Sequence, residues 1–112
     1  RFQFDLKQMK RVLINLLENS ISVLPEGGVI EIILSCDKEK QVVLLVVKDN
    51  GPGVADEDKH RLFEPYFSTK KSGTGLGLAI ANTVVADHGG QIRVADNEPT
   101  GAIFTVELPM TA

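Results

Sequence analysis

The chain has 112 residues, 43% of them hydrophobic and 24% charged, with a net charge of −3, which holds one ordinary globular domain and no second independent core. That acidic balance argues against a nucleic-acid partner, whose phosphates call for a basic surface. The longest unbroken apolar run, Val42 to Val47, is far too short to cross a bilayer, so no membrane contact is expected of this domain.

Asp5 can cap a first helix, in which Leu6, Met9, Leu13, Leu16, Leu17 and Leu24 recur at three- and four-residue steps. Pro25 and Gly27-Gly28 stop it near residue 24. Asn15 and Asn19 are four apart and share one face, with Ser22 a turn further on, and this spacing puts them opposite the leucines. Asparagine is a middling helix former. Two readings stand for the pair: solvated polar residues, or neutral carboxamide oxygens offered to a hard cation such as Mg²⁺.

Strand-like runs follow at Val29 to Cys36 and Val42 to Lys48, joined by the turn Asp37-Lys38-Glu39-Lys40 as a hairpin. Cys36, the single cysteine, cannot form an internal disulfide and sits in an apolar run, so a buried reduced thiol is expected. Asp49-Asn50-Gly51-Pro52-Gly53 is a punctuated loop at the strand end. Its glycines permit positive φ or close approach to a flat ligand, and Asp49 can accept a hydrogen bond from an amino group such as that of adenine. Taken alone, the same residues read better as a plain tight turn.

Ala55 to Ser72 is polar, with a short helical stretch near Asp56 to Phe63. Within it, Leu62 to Lys71 (LFEPYFSTKK) combines aromatics with lysines. It reads either as a lid whose ammonium meets phosphate or as a satellite hydrophobic cluster under a loop. A second amphipathic helix, about Thr74 to Asp87, ends at Gly89-Gly90. It opens on Gly73-Thr74-Gly75-Leu76-Gly77-Leu78, where exposed backbone N–H groups and the helix dipole suit an anion. The GxGxG spacing is neither GxGxxG nor a Walker pattern, which excludes Rossmann and P-loop assignments. Strands at Gln91 to Ala95 and Ala102 to Leu108, linked by Asp96-Asn97-Glu98-Pro99, close the chain. The fold class is therefore α/β, a two-layer sandwich with helices on one face of a mixed, mostly antiparallel sheet.

In order, NLLENS (Asn15 to Ser20), DNGPG (Asp49 to Gly53), FEPYFSTK (Phe63 to Lys70) and GTGLGL (Gly73 to Leu78) resemble the asparagine, first glycine, phenylalanine and second glycine boxes of the ATP-binding catalytic domain of bacterial two-component sensor histidine kinases. HGGQI and GAIFTVELP fit as well, so the resemblance spans nearly the whole chain. The GHKL superfamily, with its Bergerat fold, also holds DNA gyrase, mismatch-repair ATPases and heat-shock chaperones. FSTKKSGTGLGLAI with HGG downstream is similar to the nitrogen-regulation sensor kinases. The resemblance implies ATP and Mg²⁺ as cofactors, Asn19 as the metal ligand and Asn15 as its phosphate-side partner. It implies Asp49 as acceptor of the adenine amino hydrogen, with Gly51 and Gly53 allowing close approach and Val54 packing on the base. Thr74, Gly75, Leu76, Gly77 and Leu78 would line the phosphates through backbone N–H groups, and Lys70 would reach the terminal phosphate from the lid. Ser20 departs from the family's usual alanine, Ser22 and Val23 stand where a lysine and an aromatic are frequent, and Ala102 replaces a hydroxyl residue.

Asn15 holds the position of the gyrase-type general base, and an amide cannot take a proton. Glu18 points about 100° away from Asn19 around the helix. Phosphoryl transfer is thus preferred over hydrolysis by a GHKL-type ATPase, and a degenerate nucleotide-binding interaction module is the third reading. His60 is followed by Arg61 and His88 by Gly89, so neither matches the family's phosphoacceptor pattern. The implied partner is a histidine-bearing dimerisation domain, and beyond it a response regulator. The expectation is one catalytic domain over residues 1–112, excised from a longer cytoplasmic or inner-membrane-anchored kinase. Alone it would be monomeric, binding ATP and transferring nothing.

Overall fold

The structure, a computed structural model, describes residues 6–24, 26–64 and 77–109. Along the chain it runs α1 (Leu6–Val23), β1 (Ile30–Asp37), β2 (Val42–Asp49), α2 (Asp56–Lys59), α3 (Gly77–Asp87), β3 (Gln91–Asp96) and β4 (Ala102–Pro109). The expected caps and stops at Asp5 and Pro25, and the start of the second helix before Gly77, lie outside the described residues.

The four strands form one sheet in the order β1-β2-β4-β3, and every pairing among the described residues is antiparallel. β4 fills the place between β2 and β3, so those two run the same way without pairing, and α3 makes the crossover between them. The hairpin turn is organised by Asp37, whose Oδ1 accepts the Glu39 and Lys40 N–H groups at 3.1 Å each, an Asx-type closure. At the end of α3, Gly90 N–H donates to the Val85 carbonyl and Gly89 N–H to that of Ala86, both at 2.9 Å. Gly89 has φ +79°, which completes a Schellman termination.

Strand periodicity sets the core. On β4, Ala102, Phe104, Val106 and Leu108 are buried while their neighbours are half-buried, because alternate side chains face the helix layer. Phe104, fully enclosed, stands opposite Val47 on β2 and Val94 on β3. From the helices, Val12 and Leu16 of α1 and Ala81, Val84 and Val85 of α3 close over it. Phe63 packs edge-to-face on Phe104 with ring centroids 6.4 Å apart. Leu62 and Phe63 thus belong to the main core rather than to a satellite cluster; Tyr66, Phe67 and the lysines lie outside the described residues. The helical stretch expected to reach Phe63 is shorter, ending as α2 at Lys59.

Two expectations are corrected. The buried line of α1 is Val12, Leu16 and Ser20, so Asn15 and Asn19 border the buried face, half-buried, rather than standing opposite it. A stripe drawn through leucines alone is rotated, because it omits a valine and a serine on the packed side. Cys36 is exposed. It shares the helix-side face with Ile32 and Leu34 through their pairing with β2, but β1 is an edge strand that the helices do not cover, and Leu34 is 72% exposed. Among the described residues no helix is long and apolar enough to cross a membrane.

Truncating Phe104 to Ala should cost about 3–5 kcal/mol, since the two layers meet on its ring and cannot collapse into the void. Denaturant unfolding of the variant checks this.

Candidate functional site

β2 ends on Asp49, only 2% exposed. A carboxylate this deep must be supplied with donors, and the fold brings three from separate elements. Oδ1 accepts the Gly51 N–H at 3.0 Å and the Ala102 N–H at 3.3 Å. Oδ2 accepts the Ser20 hydroxyl of α1 at 3.0 Å. The residue's own carbonyl accepts Nδ2 of Asn97 at 2.8 Å.

The loop after Asp49 is held as firmly. Asn50 Oδ1 accepts the Val29 N–H at 2.8 Å, its N–H donates to the Val29 carbonyl, and its carbonyl accepts the Thr100 hydroxyl. Gly101 lies against Asp49 at φ +112°, where a Cβ would fall inside the van der Waals shell of the Asp49 carbonyl. Gly53, at φ +80°, packs on the Gly101 carbonyl. The backbone bends at Gly51-Pro52, and the bond from the Gly51 N–H back to Asp49 Oδ1 helps to fix the carboxylate.

Val54 is half-buried against the core. Its carbonyl accepts a hydrogen bond from the Lys59 ammonium at 3.1 Å, which also reaches Asp56 and, at 2.9 Å, Asp96 at the end of β3. The bond to Asp56, then that to Asp96, raises the Lys59 amine above its ordinary 10.5; the Lys59 hydrogen bond and charge lower the Asp56 carboxyl below 3.8. By sign, the lysine's contribution is present below 10.5 and lost as pH rises through its raised value. The aspartate's is present above 3.8 and lost as pH falls through its lowered one. At neutral pH the tether of the Val54 segment is therefore intact.

On α1, five residues before Ser20, Asn15 donates through Nδ2 to the Gly77 carbonyl in the first turn of α3 at 3.1 Å. One helix therefore bonds to the carboxylate at one point and to the glycine-led helix about 7.5 Å along its axis. Asn19 lies between them, half-buried, and Leu78 puts its side chain into the core. Of the sequence-expected residues, Asn15, Asn19, Asp49, Gly51, Gly53, Val54, Gly77 and Leu78 are described. Lys70, Thr74, Gly75 and Leu76 lie outside the described residues. His60 is exposed beyond α2, and His88 places Nδ1 2.8 Å from the Val84 carbonyl. Sequence reading missed the positioning parts: Ser20 as a donor, the Ala102 N–H, Asn97, Gly101 and Lys59. Ser20 left a signal as a departure from the family pattern, and Gly101 and Ala102 as the opening of GAIFTVELP; Asn97 and Lys59 left none.

A sandwich with a glycine-bracketed carboxylate at a central strand end, bonded through one helix to the start of another, is the architecture of the GHKL nucleotide-binding domains. Residues 4–112 match the family of histidine kinase-, DNA gyrase B- and HSP90-like ATPases, and the chain belongs to that family. Among curated relatives, sporulation kinase E of Bacillus subtilis is 39% identical over 103 residues, 92% of this chain and 14% of that protein. Sensor histidine kinase ZraS of Salmonella typhimurium is 38% identical over 112 residues, 100% of this chain and 24% of that protein. The chain thus spans less than a quarter of these relatives. Among solved structures, the catalytic domain of histidine kinase ThkA superposes with a TM-score of 0.88 at 38% identity, over 98% of this chain and 71% of that one. Full-length ShkA in complex with AMPPNP gives 0.81 at 31% identity, over 94% and 22%. ThkA in complex with the response regulator TrrA gives 0.83 at 35%, over 99% and 31%. This is the sensor histidine kinase catalytic-domain fold.

Gly101→Ala should lose about 1–3 kcal/mol to backbone strain alone, with the clash against Asp49 added. The prediction is a melting point lower by several degrees at least, read by calorimetry.

Proposed function

We propose that this chain binds Mg-ATP and donates the γ-phosphoryl group to a histidine on a separate dimerisation domain, as the catalytic part of a two-component sensor kinase. The observation that carries the reading is the buried Asp49 carboxylate, held by three protein donors and bracketed by Gly53 and Gly101. An acceptor fixed in that way suits the amino group of adenine, and Val54, half-buried in the loop that follows, is proposed to pack on the base. Gly77 and Leu78 open α3, whose N-terminal N–H groups suit phosphate. Thr74, Gly75, Leu76 and Lys70 enter by sequence match alone. The AMPPNP bound to ShkA supports the ligand class, and the regulator bound to ThkA supports the eventual recipient of the phosphoryl group.

Among the described residues no three His, Cys, Asp or Glu side chains converge as a metal cage. Asn19 offers one hard, neutral carboxamide oxygen, which fits Mg²⁺ that takes its other ligands from phosphates and water. Bound there, the cation would neutralise charge on the phosphates. The chain's own residues position the nucleotide and supply no acid or base. An imidazole nitrogen of the partner attacks the γ-phosphorus, the bond to the β–γ bridging oxygen breaks, and ADP leaves. Hydrolysis by this chain alone is disfavoured: Asn15 is engaged with Gly77 and has no basic site, and Glu18 is exposed on another face of α1. A nitrogen-regulation subtype would rest on FSTKKSGTGLGLAI and HGG alone. The chain is proposed to act as a monomer and to phosphorylate only when the acceptor domain is supplied.

Mixing the chain with helical dimerisation domains and γ-labelled ATP should place acid-labile, alkali-stable label on the partner. Asp49→Asn, which puts an amide donor where an acceptor is needed, should cut that label at least tenfold by weakening nucleotide binding. Release of free phosphate with no labelled partner would favour the ATPase reading instead.

A further inference from the structure

Ser20 is fully buried in α1. A serine within a helix ordinarily turns its hydroxyl to solvent or to the carbonyl four residues back. This one crosses to the sheet and donates to Asp49 Oδ2 at 3.0 Å. An ionised carboxylate offers about four acceptor sites. Among the described residues, two on Oδ1 are filled by the Gly51 and Ala102 N–H groups, and one on Oδ2 is filled by Ser20. One site on Oδ2 is left, and its direction is set by the donor already bound to the same oxygen.

We propose that Ser20 is a positioning residue that sets the base selectivity of the site, by orienting Asp49 Oδ2 so that its remaining lone pair accepts from a 6-amino purine. The inference rests on the reading of Asp49 as the base acceptor and goes beyond it. The two backbone donors grip only Oδ1 and leave the carboxylate able to tilt about that oxygen. Ser20 supplies the second fixed point. An acceptor held at two points meets an exocyclic amine in line and repels a 6-oxo group, whose lone pairs face its own. An alanine at this place would keep the helix packing and remove the donor, so the hydroxyl is the part of Ser20 that the discrimination needs.

The test compares the chain, Ser20→Ala and Ser20→Thr by titration calorimetry with ATP and with purine riboside 5′-triphosphate, which carries hydrogen in place of the 6-amino group. Melting curves establish that each variant is folded. The parent should prefer ATP by at least tenfold. Ser20→Ala should lose most of that preference by binding ATP roughly tenfold more weakly, with the analogue unchanged within about twofold, and Ser20→Thr should restore it by returning the hydroxyl. A Ser20→Ala chain that keeps the parent's preference overturns the assignment. So does one that loses both nucleotides equally, since that is what a merely structural serine would give. A parent chain that binds both nucleotides equally overturns the reading of Asp49 itself, an outcome visible without any variant.

Discussion

A carboxylate taken almost wholly out of water is tolerable only if donors replace the solvent, and at Asp49 the donors come from three parts of the chain. That requirement fixes a good deal of the fold around it. Ser20 must stand on the packed side of α1, so the helix is rotated with Val12 and Leu16 inward. Ala102 must open β4 beside the end of β2, which the pairing of Lys48 with Ile103 achieves. Gly101 must lack a side chain for the two backbones to come together. The hydrophobic core then does the bulk work, with Phe104 joining both layers, while the carboxylate decides how they are registered.

The same economy runs through the rest of the site. α1 bonds to the strand end through Ser20 and to α3 through Asn15, so a single rigid helix sets the separation between the base acceptor and the phosphate end of the proposed nucleotide. Lys59 ties the Val54 segment to β3 by three acceptors on different elements. An exposed ion pair contributes little by itself; the value of this one is positional. Among the described residues, the parts of the proposed site are thus held in place by the protein's own hydrogen bonds.

Much of the fold was legible in the sequence because its signals are local. Period-two and period-four patterns, with Gly and Pro at the breaks, placed α1, all four strands and the end of α3 within a residue or two. DNGPG and the two asparagines, on which the proposed site rests, stand out in the sequence for the same local reason. What escaped was long-range. The partners of Asp49 lie 29 and 53 residues away in sequence, and Asn97 lies 48 away; a serine or a backbone N–H carries no mark of the atom it will meet. The rotation of α1 does not show in its leucines, because Val12 and Ser20 share the packed side. The exposure of Cys36 does not show either, because an apolar strand reads the same whether helices cover it or stop short of it.

In the proposed site the Asp49 carboxylate anchors the base of the nucleotide. The most direct measurement follows the backbone amide signals of Gly51 and Ala102, the two N–H groups bonded to that carboxylate, by nuclear magnetic resonance during titration with ADP. Both should shift together along one saturating curve and exchange more slowly with solvent at the end point, since a ligand on Oδ2 polarises and shields the shared group. Saturation of other amides by ADP with these two unmoved would contradict the account.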